Sequence, residues 1–155
     1  MSVEAQLLAE PIRHFLLTDY CVVTASTTVE ETIAQMRETG KHTAFVVGEH
    51  TKLQGIVTDR DVMHKAVTNK AVWSEPITAI MTADPFTLTM DATAGEAMRL
   101  MDEKGFRNVP VINDRSNPVG NLTYFSLVDY LSGAFQEVVL NAPPTADYAD
   151  TRDGG

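Results

Sequence analysis

The stretch GIVTDRDVMHKAV, residues 55–67, places an apolar strand pattern directly before a helical pattern. Ile56 and Val57 form the apolar part, and Thr58 stands at the change from one pattern to the other. The same arrangement returns 65 positions later in GNLTYFSLVDYLS, residues 120–132. The recurrence indicates an internal duplication, and this duplication decides the fold.

An ungapped shift of 65 positions relates the two halves of the chain. The matching residues are helix caps, turn glycines and apolar positions. They are Thr24 with Thr89, Thr28 with Thr93, Glu31 with Glu96, Met36 with Met101, Glu38 with Glu103, Gly40 with Gly105, Val46 with Val111, Gly55 with Gly120, and Thr58 with Thr123. A unit of about 50 residues buries too little apolar surface to be stable alone. We therefore expect two copies that pack face to face and share a core.

Each copy predicts the order strand–helix–strand–strand–helix. Short apolar runs bounded by polar turns predict the strands. The predicted strands cover residues 21–24, 44–47 and 53–57 in the first copy and 86–89, 109–112 and 119–122 in the second. The helix that closes each copy is predicted to begin near Asp59 and near Phe125. The fold class expected is α/β (α+β), with two βαββα repeats in one globular module.

The first helix of each copy has a recognisable start and end. Threonine followed three residues later by glutamate predicts a capping box at Thr28 and at Thr93. Gly40 and Gly105 stand where these helices end, as expected for glycines that adopt a left-handed backbone conformation. The helices are therefore predicted to lie between Thr28 and Gly40 and between Thr93 and Gly105.

Composition excludes several classes of protein. The chain has 155 residues, of which 44% are hydrophobic, and a formal charge of -9. This acidity opposes nucleic-acid binding, which requires a basic surface. No apolar run reaches the ~20 residues of a membrane span, and the N-terminus is too acidic for a signal peptide. We expect a cytoplasmic protein. A single cysteine, Cys21, excludes an intrachain disulfide and a cysteine-based zinc site, and is predicted to be buried and inert.

The sequence divides into five segments. They are an N-terminal helix and lead-in (residues 1–17), repeat 1 (18–70), a connecting segment (71–83), repeat 2 (84–140) and a flexible acidic tail (141–155). The connecting segment is predicted to wrap the module, with Trp73 as a packing residue. The tail has paired prolines and acidic residues without an apolar period.

With these residues in view, the sequence resembles the CBS-domain family in its tandem arrangement, the Bateman module. The resemblance covers about residues 11–140 and rests on the duplication, on PVIN at 110–113 and on Gly-x-x-Thr-x-x-Asp at 55–61. It implies two clefts related by a pseudo-twofold axis and dimerisation into a disk. It also implies adenine nucleotides as ligands, and a regulatory role that senses energy or metabolite state for another protein.

Thr58 and Asp61 are the leading candidates for ligand binding. Thr58 can donate its hydroxyl to a phosphate at the helix N-terminus, and the Asp61 carboxylate can accept two hydrogen bonds from a ribose diol. The resemblance implies these same roles. Thr-x-x-Asp also has the spacing of a capping box, so a purely structural role stays open, although aspartate is a poorer partner there than glutamate.

The second copy differs at the equivalent positions. Thr123 matches Thr58, but Ser126 replaces Asp61 and Asn121 replaces Ile56. A diol that loses its charge-assisted bonds would bind more weakly by ~1.5–3 kcal/mol. We therefore predict two unequal clefts, of which the one at Ser126 is weak, empty or altered in its choice of ligand.

Further candidates follow from the repeat and from the resemblance. His42 and Arg107 are equivalent residues, and the resemblance places a phosphate-contacting cation there. Arg60 is a further candidate cation. The predicted lining of the clefts consists of Ile56, Val22, Thr24, Thr87, Thr89, Val109, Pro110 and Asn121. All of these lining residues have an equally simple interpretation as core.

The expected function is a non-enzymatic regulatory module that binds AMP, ADP or ATP. Asp59 and Asp61 are two apart on a helix and point in different directions, so no metal or acid–base pair is predicted. Mg²⁺ is expected only together with nucleotide phosphates. Motifs typical of enzymes are not found. The expected partners are a second copy of the chain and an effector protein, with neither nucleic acid nor membrane. The alternative is a ligand-free structural or dimerisation module.

Overall fold

The computed structural model describes residues 2–141, and the side chains of residues 2–133. Most of the predicted acidic tail, residues 142–155, lies outside the described residues. The helices are α1 (Val3–Ala9), α2 (Val29–Thr39), α3 (Asp59–Lys65), α4 (Ala94–Lys104) and α5 (Tyr124–Asn141). The strands are β1 (Cys21–Thr24), β2 (Thr43–Val47), β3 (Leu53–Thr58), β4 (Thr82–Ala83), β5 (Asn108–Ile112) and β6 (Pro118–Thr123). Within this part of the chain, no helix is long and apolar enough to cross a bilayer.

The first repeat contains a four-stranded sheet in the order β1-β2-β3-β4. Strand β1 runs parallel to β2, and β2 pairs with β3 in antiparallel register from Thr43–Thr58 to Val47–Leu53. Strand β4 belongs to the connecting segment and pairs with β3 through Gly55. This pairing brings the connecting segment beside the helix that begins after Thr58.

The second repeat has only one regular pair of strands, β5 and β6. The predicted strand at residues 86–89 is reduced to a single parallel bridge between Leu88 and Val111. Leu88 N donates to the Pro110 carbonyl at 3.0 Å, but Pro110 has no N–H to continue the ladder toward residue 86. The first repeat has Phe45 at this position, so its ladder is complete.

Helix ends follow the predicted capping pattern. Thr28 and Thr93 each accept a hydrogen bond from the backbone N–H of the glutamate three residues on, and each glutamate accepts one in return. Gly40 and Gly105 end these helices with φ of 67° and 68°, a left-handed conformation that glycine adopts without steric cost. These local predictions are confirmed.

The expectation of one shared core is wrong, because each repeat has its own core, and each core is covered by one of the two segments outside the repeats. The N-terminal segment contributes Leu7 and Ile12 to the core of repeat 2, and the connecting segment contributes Ile77 and Ile80 to the core of repeat 1. Trp73 packs against the repeat 1 core and donates its Nε1–H to the Ala66 carbonyl at 2.8 Å. Its predicted packing role is therefore confirmed.

The pseudo-twofold relation between the repeats is visible in one contact. Thr43 Oγ1 donates to Asn108 Oδ1 at 3.1 Å, and these residues are equivalent under the shift of 65 positions. Equivalent residues touch only where the axis passes between them. The axis therefore runs past the first residues of β2 and β5, and the two clefts flank it.

Candidate functional site

A cavity of about 1020 Å³ lies where α3 begins. Three stretches of chain form it: the end of β3 with α3, the segment that follows β4, and the turn between α4 and β5. Its lining consists of Ile56, Thr58, Asp59, Arg60, Asp61, Met63, His64, Thr82, Ala83, Asp84, Pro85, Phe86, Gly105, Phe106, Arg107 and Asn108. Both repeats therefore contribute to one cleft that contains five of the predicted site residues: Ile56, Thr58, Arg60, Asp61 and Arg107.

Asp61 is held by partners on both carboxylate oxygens. Oδ2 accepts a hydrogen bond from Thr58 N at 2.9 Å and from Thr58 Oγ1 at 3.2 Å, while Lys65 Nζ lies 3.2 Å from Oδ1. The side chain is only 18% exposed. These contacts fix a carboxylate at the edge of the cavity.

Asp61 is a helix cap as well as a residue of the cavity lining. Asp61 N donates back to Thr58 Oγ1 at 3.4 Å, which completes a capping box. The purely structural role left open for this pair is present, although the bond from Asp61 N is longer than the 3.1 and 3.2 Å of the two glutamate boxes. The capping role is thus established, and ribose binding stays a prediction.

The two arginines of the site approach the cavity from different repeats. Arg60 lies on α3, and Arg107 lies in the turn before β5. Among residues 2–133, neither arginine forms an ion pair with a carboxylate, although Asp59 and Asp84 also line the cavity. Both guanidinium groups can therefore bind an anionic ligand.

His42 lies at the other cleft. Its backbone N–H donates to Asp19 Oδ1 at 2.9 Å, and its Nδ1 lies 3.0 Å from Asp19 Oδ2. The Asp19 carbonyl in turn accepts a hydrogen bond from Asn121 Nδ2 at 2.9 Å. The equivalent residues His42 and Arg107 therefore belong to different clefts.

The polar residues of the second cleft are buried. Ser126 is 2% exposed and donates its hydroxyl to the Leu16 carbonyl at 2.5 Å. Asn121 is fully buried, and its backbone N–H donates to the Leu17 carbonyl at 2.9 Å. Thr123 is also buried, and its Oγ1 accepts a hydrogen bond from Ser126 N at 3.0 Å. Ser126 and Asn121 therefore bind the N-terminal segment, while Thr123 binds Ser126.

The remaining predicted lining residues lie outside the cavity. Val109 and Pro110 are buried within β5, and Val22 and Thr24 are the outward-facing residues of β1. The Thr24 hydroxyl lies within hydrogen-bond distance of those of Ser26 and Thr27. Thr87 and Thr89 flank the Leu88 bridge and do not contribute to the lining.

Sequence reasoning missed the walls that repeat 2 supplies. Pro85, Phe86 and Phe106 form an apolar side of the cavity, and the Phe86 and Phe106 ring centroids are 5.7 Å apart. Asp84 stands beside them with a φ of 48°, which is rare for a residue other than glycine. The repeat gave the one available signal for these walls, since Phe106 directly precedes Arg107, the predicted phosphate-contacting cation.

A second cavity of about 600 Å³ lies at the far ends of the two hairpins. It is formed by the equivalent turns between β2 and β3 and between β5 and β6, which Leu53 N joins by donating to the Ser116 carbonyl at 2.9 Å. Within residues 2–133, no group of three or more His, Cys, Asp or Glu side chains could hold a metal ion.

Comparison with known proteins agrees with this architecture. The family model of the CBS domain matches residues 12–67 and 77–133. The uncharacterised protein MJ1404 of Methanocaldococcus jannaschii is 30% identical over 127 residues, which are 82% of this chain. The chain spans 29% of the length of that protein.

Two solved structures have the same fold. The CBS domain pair of protein MJ0100, in complex with 5′-methylthioadenosine and S-adenosyl-L-methionine, superposes with a TM-score of 0.72 at 22% identity. The superposition covers 81% of this chain and 98% of the MJ0100 domain pair. CBSX2 in complex with AMP superposes with a TM-score of 0.69 at 23% identity, over 80% of this chain and 97% of the other.

Proposed function

Because the chain belongs to the CBS-domain family and carries two such domains in tandem, we propose that it is a non-enzymatic regulatory module that binds one adenine nucleotide. The proposed site is the cavity beside Asp61. The observation that carries the proposal is the immobilised Asp61 carboxylate at the edge of a cavity of about 1020 Å³. A carboxylate accepts hydrogen bonds only, so it suits a ligand that donates from a pair of hydroxyl groups.

Other residues of the lining suit the remaining parts of a nucleotide. Arg60 and Arg107 carry charges that suit phosphate, and the forked guanidinium group binds phosphate in a bidentate manner. Ile56, Phe86 and Phe106 provide apolar surface for a base. Mg²⁺ that accompanies the phosphates stays a prediction, and nucleotide titrations with and without EDTA test it.

We expect one bound nucleotide per chain. The second cleft has no carboxylate at position 126, and the Ser126 hydroxyl already donates to the Leu16 carbonyl. A ligand there would have to reach the buried Ser126 and displace its hydrogen bond to Leu16, which costs free energy. Asp61 instead lines an open cavity.

Thermal melting in the presence of AMP, ADP, ATP and S-adenosyl-L-methionine tests the proposal. A ligand at about 100 times its Kd adds ~2.7 kcal/mol to the free energy of unfolding and raises Tm by several degrees. Calorimetric titration then gives the stoichiometry, for which we expect one per chain. If none of the four compounds shifts Tm, the alternative of a ligand-free structural module is favoured.

A second copy of the chain is the proposed protein partner. Large apolar side chains are exposed on α3 and α5, the two helices that are equivalent under the pseudo-twofold relation. They are Met63 on α3 and Tyr124, Phe125, Val128 and Leu131 on α5. Such side chains in water favour association, and a dimer would bury them. The effector protein that reads the signal is a further prediction of the regulatory role.

A further inference from the structure

We propose that Lys65 is a positioning residue that fixes the Asp61 carboxylate for sugar recognition, and that it thereby determines how well the site distinguishes ribonucleotides from 2′-deoxyribonucleotides. The inference rests on the proposed function. It goes beyond that function by assigning the sugar specificity to a residue that does not line the cavity.

Lys65 is the last residue of α3 and makes two polar contacts. Its Nζ lies 3.2 Å from Asp61 Oδ1, and it donates to the Ile80 carbonyl at 3.1 Å. Asp61 lines the cavity, whereas Lys65 does not. The ammonium group therefore holds the carboxylate without occupying the volume available to a ligand.

The contacts of Lys65 and Thr58 together set the plane of the Asp61 carboxylate. Thr58 N and Thr58 Oγ1 both donate to Oδ2, and Lys65 binds Oδ1. A carboxylate held at both oxygens loses its torsional freedom before the ligand arrives. The bound state then costs less conformational entropy, and the acceptor site left on Oδ1 points in a fixed direction.

The contact with Ile80 connects the carboxylate to the wall of the cavity. Ile80 is buried, and it is followed within two residues by β4, which pairs with Ile56 of β3 and lines the cavity through Thr82. The ammonium group thus holds the end of α3, the acid and this wall in one arrangement.

The second repeat provides an internal comparison. Under the shift of 65 positions, Ser126 replaces Asp61, Tyr130 replaces Lys65 and Phe15 replaces Ile80. The Phe15 and Tyr130 rings lie with centroids 4.6 Å apart, so the helix contacts the preceding segment there through aromatic packing. That contact between elements does not require a lysine. The lysine is present in the repeat that has the carboxylate.

An ordinary ion pair at i,i+4 on a helix surface is the simpler interpretation. Lys65 is 45% exposed, and such pairs contribute little to stability. This interpretation predicts that removing the ammonium group leaves the preference between sugars unchanged. The two interpretations therefore differ in a quantity that can be measured.

The experiment compares a ribonucleotide with its 2′-deoxy analogue by calorimetric titration. The variants are Lys65→Met, Lys65→Arg and Lys70→Met, the last being a control at an exposed lysine. We expect the wild-type protein to bind AMP about tenfold more tightly than 2′-deoxy-AMP, the loss for one hydrogen bond to a charged group. Lys65→Met should weaken AMP binding and bring the two affinities within about threefold. Lys65→Arg should restore part of the preference, and Lys70→Met should match the wild type.

A Lys65→Met variant that keeps the wild-type ratio of affinities would overturn the inference. An equal loss for AMP and 2′-deoxy-AMP is one form of this result, and a general structural role would produce it. If the wild-type protein binds neither compound nor the other nucleotides, the proposed function fails first and this inference fails with it.

Discussion

At the scale of single residues, the site depends on a carboxylate that has two roles. Asp61 caps α3 through Thr58 and also lines the cavity. Glu31 and Glu96 cap α2 and α4 in the same way but stand outside the cavity lining. The chain therefore contains matched controls in which the capping contribution is present without the ligand contribution.

Replacing Asp61 with Asn should weaken nucleotide binding by about 10- to 100-fold, because a hydrogen bond to a charged group contributes ~1.5–3 kcal/mol. The amide oxygen still accepts a hydrogen bond from Thr58 N, so Tm without ligand should change little. Calorimetric titration and melting curves measure both quantities. Glu31→Gln is the control, and it should leave the affinity unchanged. Equal losses of affinity in the two variants would contradict the assignment.

The burial of Cys21 should alter the titration of its thiol and slow its alkylation. Burial raises the pKa of this thiol above its ordinary value. At neutral pH both the folded and the unfolded states hold the proton. At higher pH the unfolded state releases it first, so the free energy of unfolding falls as pH rises. Urea titrations across this range should show that fall, and a Cys21→Ala variant should show less of it. Rapid alkylation by iodoacetamide in the folded state at neutral pH would show that the thiol is accessible.

At the scale of elements, the segments outside the repeats determine the shape of both clefts. Helix α1 packs on α4, and Ala94 N donates to the Glu10 carbonyl at 2.8 Å. Strand β4 pairs with β3 next to Gly55, where an added Cβ would lie 3.0 Å from the Thr82 carbonyl oxygen. Glycine is required there because β4 approaches so closely. The same approach forms one side of the cavity.

Leu7 connects α1 to the core of repeat 2. Replacing this buried side chain with Ala should lower the free energy of unfolding by ~2–4 kcal/mol, since it removes apolar contacts and leaves a cavity. Urea denaturation measures the change. Leu8 is the next residue on the same helix and is 38% exposed. Leu8→Ala should therefore cost clearly less. A similar loss in both variants would show that α1 does not pack through Leu7.

At the scale of the whole molecule, one duplicated sequence forms two clefts of different character. Near the axis, Asn108 Oδ1 accepts hydrogen bonds from Thr43 Oγ1 and from Asn121 Nδ2, both at 3.1 Å. Asn108 also lines the open cavity. The two clefts are therefore joined by direct contacts through Asn108, while their polar residues differ.

The proposed dimer can be tested on α5. Phe125 and Val128 are exposed, and replacing both with Glu should convert the dimer to a monomer, because charged groups resist burial in an apolar contact. Size-exclusion chromatography with light scattering gives the mass of each species. Met98→Glu places the same charge at an exposed apolar position on α4 and should leave the dimer intact. A wild-type protein that is monomeric at all concentrations would contradict the proposal.

The sequence by itself determined the features that depend on neighbouring residues. The capping boxes at Thr28 and Thr93 and the turn glycines rest on contacts within about four positions, so a linear pattern encodes them. The Thr58 and Asp61 pair belongs to this class, and the structure places both residues at one cavity. The βαββα order of each copy followed from the repeat, whereas the separate core of each repeat did not.

Which residues share a cleft depends on contacts between distant parts of the chain, and these are seen only in the tertiary structure. Phe106 and Arg107 meet Asp61 across more than forty positions, and Ser126 meets the Leu16 carbonyl across 110 positions. Contacts of this kind leave no periodic signal in the chain. The sequence therefore showed that His42 and Arg107 are equivalent, but it did not show that they lie at different clefts. Pro110 likewise ends the parallel ladder that the sequence predicted at residues 86–89. Its missing N–H has an effect only where a partner strand needs that hydrogen bond. Long-range packing thus placed Asp61 at an open cavity and buried Ser126.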